Sequence, residues 1–310
     1  MKLSIVSTLY QSEIYINEFY ERVVNSAKQV VGDSYEIILV NDGSPDDSFL
    51  VAKNIVLADG RVKLIDLSRN FGHHKAMMAG LSYATGERVF LIDSDLEEDP
   101  EWLLRFYVNM NEKHCDVIYG VQTTRKGMLF ERISGHFYYR LMNFWLGLNL
   151  PENIVTARLM TSRFVKDLLR HDEREMFLGG LFSLVGYDQL PVPVKKHSTS
   201  ETTYNISKRM ALLVDTVTSF SDRPLIGMFY LGFVIFTITS AFVFYLIINW
   251  LFFSRPPSGW TSVIASIWLL GGMMISFMGI IGIYLAKVFK EAKKRPYTVV
   301  RGVYGKTDPR

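Results

Sequence analysis

Over its first ~120 residues the chain alternates short apolar, β-rich runs with longer segments whose apolar residues recur every three or four positions. The short runs, 3–9, 36–40, 62–67, 88–92 and 116–119, predict strands. The segments between them, 16–31, 48–58, 75–84 and 101–113, predict helices. Alternation at this spacing predicts an α/β fold, a mainly parallel sheet flanked by helices. In such sheets ligands bind beyond the carboxyl ends of the strands. The residues that follow each strand are therefore the place to look for chemistry.

Past Val121 the pattern changes. Residues 129–148 are rich in Phe, Tyr, Trp and Met with Arg132 and Arg140 interleaved, and residues 205–220 form a second amphipathic pattern starting near Lys208 and Arg209. Basic, aromatic amphipathic helices of this kind lie in the headgroup plane of a membrane, or pack on a soluble core or between subunits. From residue 225 to 253, and again from 260 to 286, there is no Asp, Glu, Lys or Arg. Roughly 20 apolar residues cross the hydrocarbon layer, so both runs predict transmembrane spans. The organisation expected is a soluble domain over 1–223, a transmembrane hairpin over 224–289 and a basic tail over 290–310. Lys208, Arg209 and Arg223 precede the hairpin, and Lys287, Lys290, Lys293, Lys294 and Arg295 follow it, whereas its loop holds only Arg255. By the positive-inside rule both termini and the soluble domain face the cytoplasm.

Composition narrows this further. A net charge of +3 over 310 residues, with cations gathered beside the apolar runs, points to anionic lipid and away from nucleic acid. Cys115 is the single cysteine, which excludes a disulfide framework and a thiolate metal site. The apolar stretch at 3–10 is short and broken by Ser4, Ser7 and Thr8, unlike a signal peptide. Gly232, Gly271, Gly272, Gly279 and Gly282 permit close helix contacts within or between chains, leaving a homo-oligomer open.

Two acidic clusters close predicted strands. Asp42, in Asn41-Asp42-Gly43-Ser44, suits hydrogen bonds to a base or ribose, although Asp-Gly is also an ordinary turn. Asp93-Ser94-Asp95 places two carboxylates at one strand end, a pairing that can hold Mg²⁺ or Mn²⁺ against a diphosphate. His73 and His74 read as structural or phosphate-adjacent rather than as metal ligands.

Taken in order, Val40-Asn41-Asp42-Gly43-Ser44, Ser68-Arg69-Asn70-Phe71-Gly72, Ala79-Gly80-Leu81, Ala84-Thr85-Gly86, Asp93-Ser94-Asp95-Leu96, Arg158-Leu159-Met160 and Ser219-Phe220-Ser221 before Pro224-Leu225 make a pattern. The chain resembles the polyprenyl-phosphate glycosyltransferases of glycosyltransferase family 2, close to dolichol-phosphate mannose synthases and bactoprenol glycosyltransferases. The resemblance spans nearly the whole chain. It implies a GT-A type fold, a nucleotide-sugar donor, a divalent metal, inversion at the anomeric carbon and a polyprenyl phosphate acceptor. Carried over by position, Asp42 contacts the nucleoside, Asp93 sits near ribose or sugar, and Asp95 is the main ligand of a metal that Asp93 shares. Thr8, Tyr10, Glu13, Asn70, Lys75 and Ser94 join them around the donor. Arg125, Arg158, Lys196, His197 and Tyr204 address the acceptor phosphate or donor diphosphate. Asp93, Asp95 and Arg158 are the catalytic set this implies.

Departures from the family pattern bear on mechanism. Thr8 and Gln11 replace Pro and Asn, Glu97-Glu98-Asp99 replaces Gln-Asp-Pro, and Ser200, His197 and Thr203 alter a loop over the diphosphate. Val155-Thr156-Ala157-Arg158 replaces Gly-Asp-Phe-Arg, so an acid sometimes assigned as base is absent. A sugar hydroxyl needs a general base, whereas a phosphate monoester already carries negative oxygens near neutral pH. Transfer to a lipid phosphate is thus the leading reading. Extension of a lipid-linked glycan at a hydroxyl, and a non-catalytic nucleotide-sugar binder, are the alternatives.

Overall fold

The computed structural model describes residues 1–122, 153–174, 176–197, 217–218, 221–253 and 259–306. The expected amphipathic helices over 129–148 and 205–220, together with Arg125 and Tyr204, lie outside these residues or nearly so. The chain divides into two units, Met1–Arg140 with Leu148–Tyr204 and Arg295–Arg310, and Leu141–Gly147 with Asn205–Lys294.

The first unit is built on one sheet. Its strands are β1 (Leu3–Leu9), β2 (Tyr35–Asn41), β3 (Val62–Leu67), β4 (Arg88–Leu91), β5 (Val117–Gln122), β6 (Ile154–Thr161), β7 (Gln189–Val194) and β8 (Val300–Tyr304). The order across the sheet is β7-β5-β6-β4-β1-β2-β3-β8. β1 pairs in parallel with β2 and β4, and β2 with β3. β6 and β8 run against their neighbours. The expected mainly parallel α/β sheet is therefore present. β1 and β2 are buried at every position, as strands covered on both faces must be.

Helices α1 (Ile16–Val31), α2 (Ser48–Ala58), α3 (His73–Ser82) and α4 (Trp102–Lys113) follow β1 to β4 in turn. α5 (Ser162–Leu168) and α6 (Leu178–Val185) lie between β6 and β7. On α1, Ile16, Phe19, Val23 and Ala27 are buried, the 3-4-4 spacing that sets one helical stripe against a sheet. α3 approaches the sheet more closely. A Cβ on Gly80 would lie 2.6 Å from Val6 Cγ1 and 2.8 Å from Val40 Cγ2, which explains the Ala-Gly-Leu tag. The Ala-Thr-Gly tag is a structural lock. Buried Glu36 accepts hydrogen bonds from the Ser4 hydroxyl (2.6 Å), the Thr85 N–H (2.8 Å) and the Thr85 hydroxyl (2.7 Å), and pairs with Lys63 at 2.9 Å.

β8 is the surprise of this unit. Within the stretch read as a basic tail, residues 300–304 form an edge strand antiparallel to β3, pairing Leu64 with Tyr304 and Asp66 with Gly302.

The second unit contains α7 (Arg223–Phe253) and α8 (Trp260–Ala292), of 31 and 33 residues. Each is long enough, at 1.5 Å per residue, to cross a hydrocarbon layer about 30 Å thick. Their most apolar windows are not buried at all. Phe229, Phe236, Trp268 and Ile275 are each more than two-thirds exposed, unlike the helices of a soluble core. Tyr284 donates a hydrogen bond to the Ser221 carbonyl at 2.6 Å. That contact brings the latter part of α8 to the start of α7, so the two helices run antiparallel.

Candidate active site

The strands β3, β2, β1 and β4 point the same way, and a cleft of about 360 Å³ opens beyond their carboxyl ends. Thr8, Tyr10, Ser12, Asp42, Asn70, Gly72, His73, Asp93, Ser94 and Asp95 line it. Seven residues expected from sequence (Thr8, Tyr10, Asp42, Asn70, Asp93, Ser94 and Asp95) thus meet in one place. Glu13 and Lys75 do not line it. The Glu13 carboxylate instead accepts the Asp47 N–H at 2.8 Å and braces the turn after β2.

Asp42 follows β2 and is almost fully buried. Its Oδ1 accepts the Phe71 N–H at 2.8 Å, and its Oδ2 the Gly72 N–H at 3.0 Å. Burial pushes its carboxyl up, against the pull of those two N–H groups. Gly43 has φ 60°, and a Cβ there would collide with the Arg69–Asn70 peptide. The Asp-Gly pair therefore holds the loop between β3 and α3, rather than merely turning the chain.

Asp93 and Asp95 follow β4. Leu96 sits in the left-handed region at φ 57°, a strained turn of the sort kept at functional sites. Burial pushes the Asp93 carboxyl up, but His73, the Thr156 side chain and the Lys196 charge together outweigh it and the net shift is downward. His73 Nε2 lies 3.2 Å from Asp93 Oδ1. That oxygen is buried and has no aligned hydrogen bond among the described residues, so the contact is electrostatic. His73 Nδ1 is 3.1 Å from the Thr8 hydroxyl, which sets the ring between β1 and the acidic loop. Burial and the neighbouring Asp93 charge raise Asp95, although the Glu97 N–H donates to its Oδ1 at 3.0 Å.

Two carboxylates facing one cleft, one with a buried unsatisfied oxygen, fit a hard cation that prefers oxygen ligands. The described residues hold no group of three or more His, Cys, Asp or Glu arranged for a metal ion. The remaining positions would fall to substrate oxygens and water, as Mg²⁺ sites commonly arrange.

The antiparallel strand β6 brings in a further layer. Leu91 is paired with Arg158, and continuing that register by two residues brings Asp93 level with Thr156. Arg158 is buried and stacks on the Phe182 ring at 3.6 Å. It donates to the carbonyls of Thr156 (3.1 Å) and Val155 (3.3 Å). Burial pulls its pKa down to about 10. Sequence placed Arg158 on a phosphate; here the guanidinium is turned onto its own strand. Glu98, which sequence reading had only as a departure from pattern, is completely buried. Its Oε1 accepts the Thr156 N–H at 2.8 Å, and its Oε2 has no partner among the described residues. Burial first, then the Asp93 charge, push it up to about 8. An acid thus sits against position 156 after all, supplied by another loop. Lys196 pairs with Glu97 at 2.9 Å, and His197 Nε2 lies 3.1 Å from Asp99 Oδ2. Both expected residues therefore border the acidic loop.

Residues 4–169 match the profile described as Glycosyl transferase family 2. The chain belongs to that family. A glycosyltransferase-named protein of Mycobacterium tuberculosis is 48% identical, covering 98% of this chain and 89% of the relative. The uncharacterized glycosyltransferase YkcC of Bacillus subtilis is 34% identical, over 98% and 95%. The prophage bactoprenol glucosyl transferase homolog of Escherichia coli K12 is 29% identical, over 98% and 99%. The match to these relatives of similar length therefore runs over both the sheet and the apolar C-terminal part of this glycosyltransferase. His73, expected as structural or phosphate-adjacent, lies against Asp93 and Thr8, and Ser12, which sequence did not single out, meets the Ser94 hydroxyl; all these partners are distant in sequence.

Proposed function

We propose that this glycosyltransferase moves a sugar from a nucleoside diphosphate donor to the phosphate of a polyprenyl lipid, undecaprenyl phosphate in bacteria, with inversion at the anomeric carbon. The observation that carries the proposal is one chain combining an acidic cleft at the parallel strand ends with two long, exposed apolar helices. The name of the E. coli relative supports a bactoprenol acceptor.

In this reading Asp42 and Asn70 receive the nucleoside, and Asp93 and Asp95 face the diphosphate and sugar. Mg²⁺ or Mn²⁺, held by Asp95 and Asp93, would supply Lewis-acid neutralisation of the diphosphate charge. An oxygen of the lipid phosphate attacks the anomeric carbon from the face opposite the diphosphate. The bond from that carbon to the β-phosphate oxygen breaks, and the nucleoside diphosphate leaves with the electron pair. No proton need be removed from a phosphate already ionised near neutral pH. The work left to the protein is alignment and charge stabilisation, which suits a site with threonine at 156. The apolar helices would span the cytoplasmic membrane, with both termini and the cleft on the cytoplasmic side where the flanking cations lie. The product would serve surface glycan modification.

The test is transfer of label from a panel of radiolabelled nucleotide sugars into undecaprenyl phosphate by the purified chain in detergent. Label in the lipid phase, lost with Asp95→Ala or EDTA, supports the reading. Donor binding without lipid labelling would move glycan extension or a non-catalytic role to the front.

A further inference from the structure

The loop 68–72 joins β3 to α3 and contributes Asn70 and Gly72 to the cleft. One side of it is held by Asp42 and Gly43. The other side is held by the C-terminal segment, which reaches beyond the β3–β8 ladder to do so. The Ser68 N–H donates to the Val299 carbonyl at 2.9 Å, and Arg301 Nη2 donates to the Ser68 carbonyl at 2.7 Å. Both peptide groups of the residue that opens the loop are thus taken by residues 299 and 301. Arg301 Nη1 also lies 3.5 Å from Asp66 Oδ2. Asp66 is buried, and its Oδ1 accepts from Asn41 Nδ2 at 2.8 Å. A continuous polar chain therefore runs from Arg301 through Asp66 to Asn41, the neighbour of Asp42.

The strand is anchored at its other end. The Tyr304 ring meets Phe49 edge-on with centroids 5.5 Å apart, and Lys53 Nζ lies 5.2 Å from the Tyr304 ring centre. Gly305 has φ 109°, and a Cβ there would come within 2.5 Å of the Val62 carbonyl oxygen. A strand serving only to cover a sheet edge would need the ladder and this anchor. It would not need the two bonds to Ser68.

We propose that the C-terminal strand is part of the donor site. Residues 299–304 hold the 68–72 loop so that Asn70 faces the cleft and the Phe71 and Gly72 N–H groups meet Asp42, with Arg301 as the positioning residue. The functional half of this inference rests on the reading of the cleft as a nucleotide site. Because the segment follows α8 in sequence, the donor site is complete only once the chain beyond the second apolar helix has reached the edge of β3. The Arg301 side chain is 61% exposed, so its ion pair alone contributes little. The hydrogen bonds to the loop carry the effect.

The experiment uses the full chain in detergent with Arg301→Gln, Arg301→Lys and Gly305→Val. Gly305 lies at the start of β3, about five strand residues or ~17 Å from Ser68, so an effect from there must travel through the strand. Hydrogen exchange is followed over residues 66–72, and Kd is measured for UDP, GDP, CDP, ADP and dTDP with Mg²⁺. Arg301→Gln and Gly305→Val should speed exchange in the loop and weaken the best-bound nucleotide about five- to tenfold. Arg301→Lys should recover part of both. Unchanged exchange in Arg301→Gln and Gly305→Val overturns the proposal. Faster exchange with an unchanged Kd overturns the strand's role in the donor site. If the wild type binds none of the nucleotides, the reading of the cleft falls, while the exchange data still decide whether the strand positions the loop.

Discussion

Asp42 and Gly72, thirty residues apart in sequence, meet through a 3.0 Å hydrogen bond from the Gly72 N–H to the Asp42 carboxylate. With the companion bond from Phe71, it ties the end of one strand to the loop that follows the next. The cleft is built by such strand-end contacts, and its behaviour on mutation follows from them.

Asp42→Ala removes the acceptor for two backbone N–H groups at once. Bonds to a charged acceptor are each worth about 1.5–3 kcal/mol. Nucleotide affinity should fall at least about tenfold, by titration calorimetry, while Asp42→Asn keeps one acceptor and loses less. Equal affinity in Asp42→Ala and the wild type would remove Asp42 from the donor site.

Asp95→Ala should lower kcat about 10²- to 10³-fold, the range seen when one electrostatic stabiliser is removed. Added Mn²⁺ should not restore the rate. Recovery at high metal concentration would show that Asp95 tunes affinity for the ion and is dispensable for the reaction.

Glu98 is raised from its ordinary 4.5 to about 8 by burial and Asp93. Between those values the folded chain holds a proton that the unfolded chain has lost. The stability tied to that proton is full below about 4.5 and is lost progressively as pH rises to about 8. Glu98→Gln keeps an acceptor for the Thr156 N–H and cannot ionise. Its thermal unfolding temperature should decline less than that of the wild type between pH 6 and 9. Parallel pH profiles would show that Glu98 is already ionised in the folded protein.

Gly80→Val forces a branched side chain where a single Cβ already meets Val6 and Val40 at 2.6 and 2.8 Å. Overpacking of this kind costs about 1–3 kcal/mol, and α3 carries His73 into the cleft. A lower unfolding temperature together with weaker nucleotide binding is expected. Normal stability would mean that α3 can move off the sheet.

Ile275 and Met278 are 69% and 64% exposed on α8. On a helix in water, replacing both with Lys should change little. In a bilayer each Lys near the helix centre costs roughly 2.5–3.5 kcal/mol. Ile275→Lys/Met278→Lys should therefore shift the chain from the membrane to the soluble fraction. An unchanged distribution would argue against insertion of α8.

Local pattern made much of this molecule legible in its sequence. Period-two and period-3.6 apolar spacing defined β1 to β5 and α1 to α4 to within a few residues, because those elements bury a stripe or face set by their own residues. The apolar runs of α7 and α8 were equally plain, since exclusion of charge is a property of composition. Asp42, Asp93 and Asp95 were legible because strand ends converge in any parallel sheet. What sequence left undecided depends on partners far along the chain. In residues 300–304 Arg301 and Gly302 interrupt the run of Val and Tyr inside a basic stretch, and the segment becomes a strand because β3 offers an open edge. Glu98 resembles any surface acid until burial beside Asp93 shifts its proton. Arg158 carries a charge that suits phosphate, yet β6 sets it against Phe182 and its own strand carbonyls. Periodicity and composition are summed over neighbours in sequence, whereas desolvation and hydrogen-bond geometry are fixed by neighbours in space.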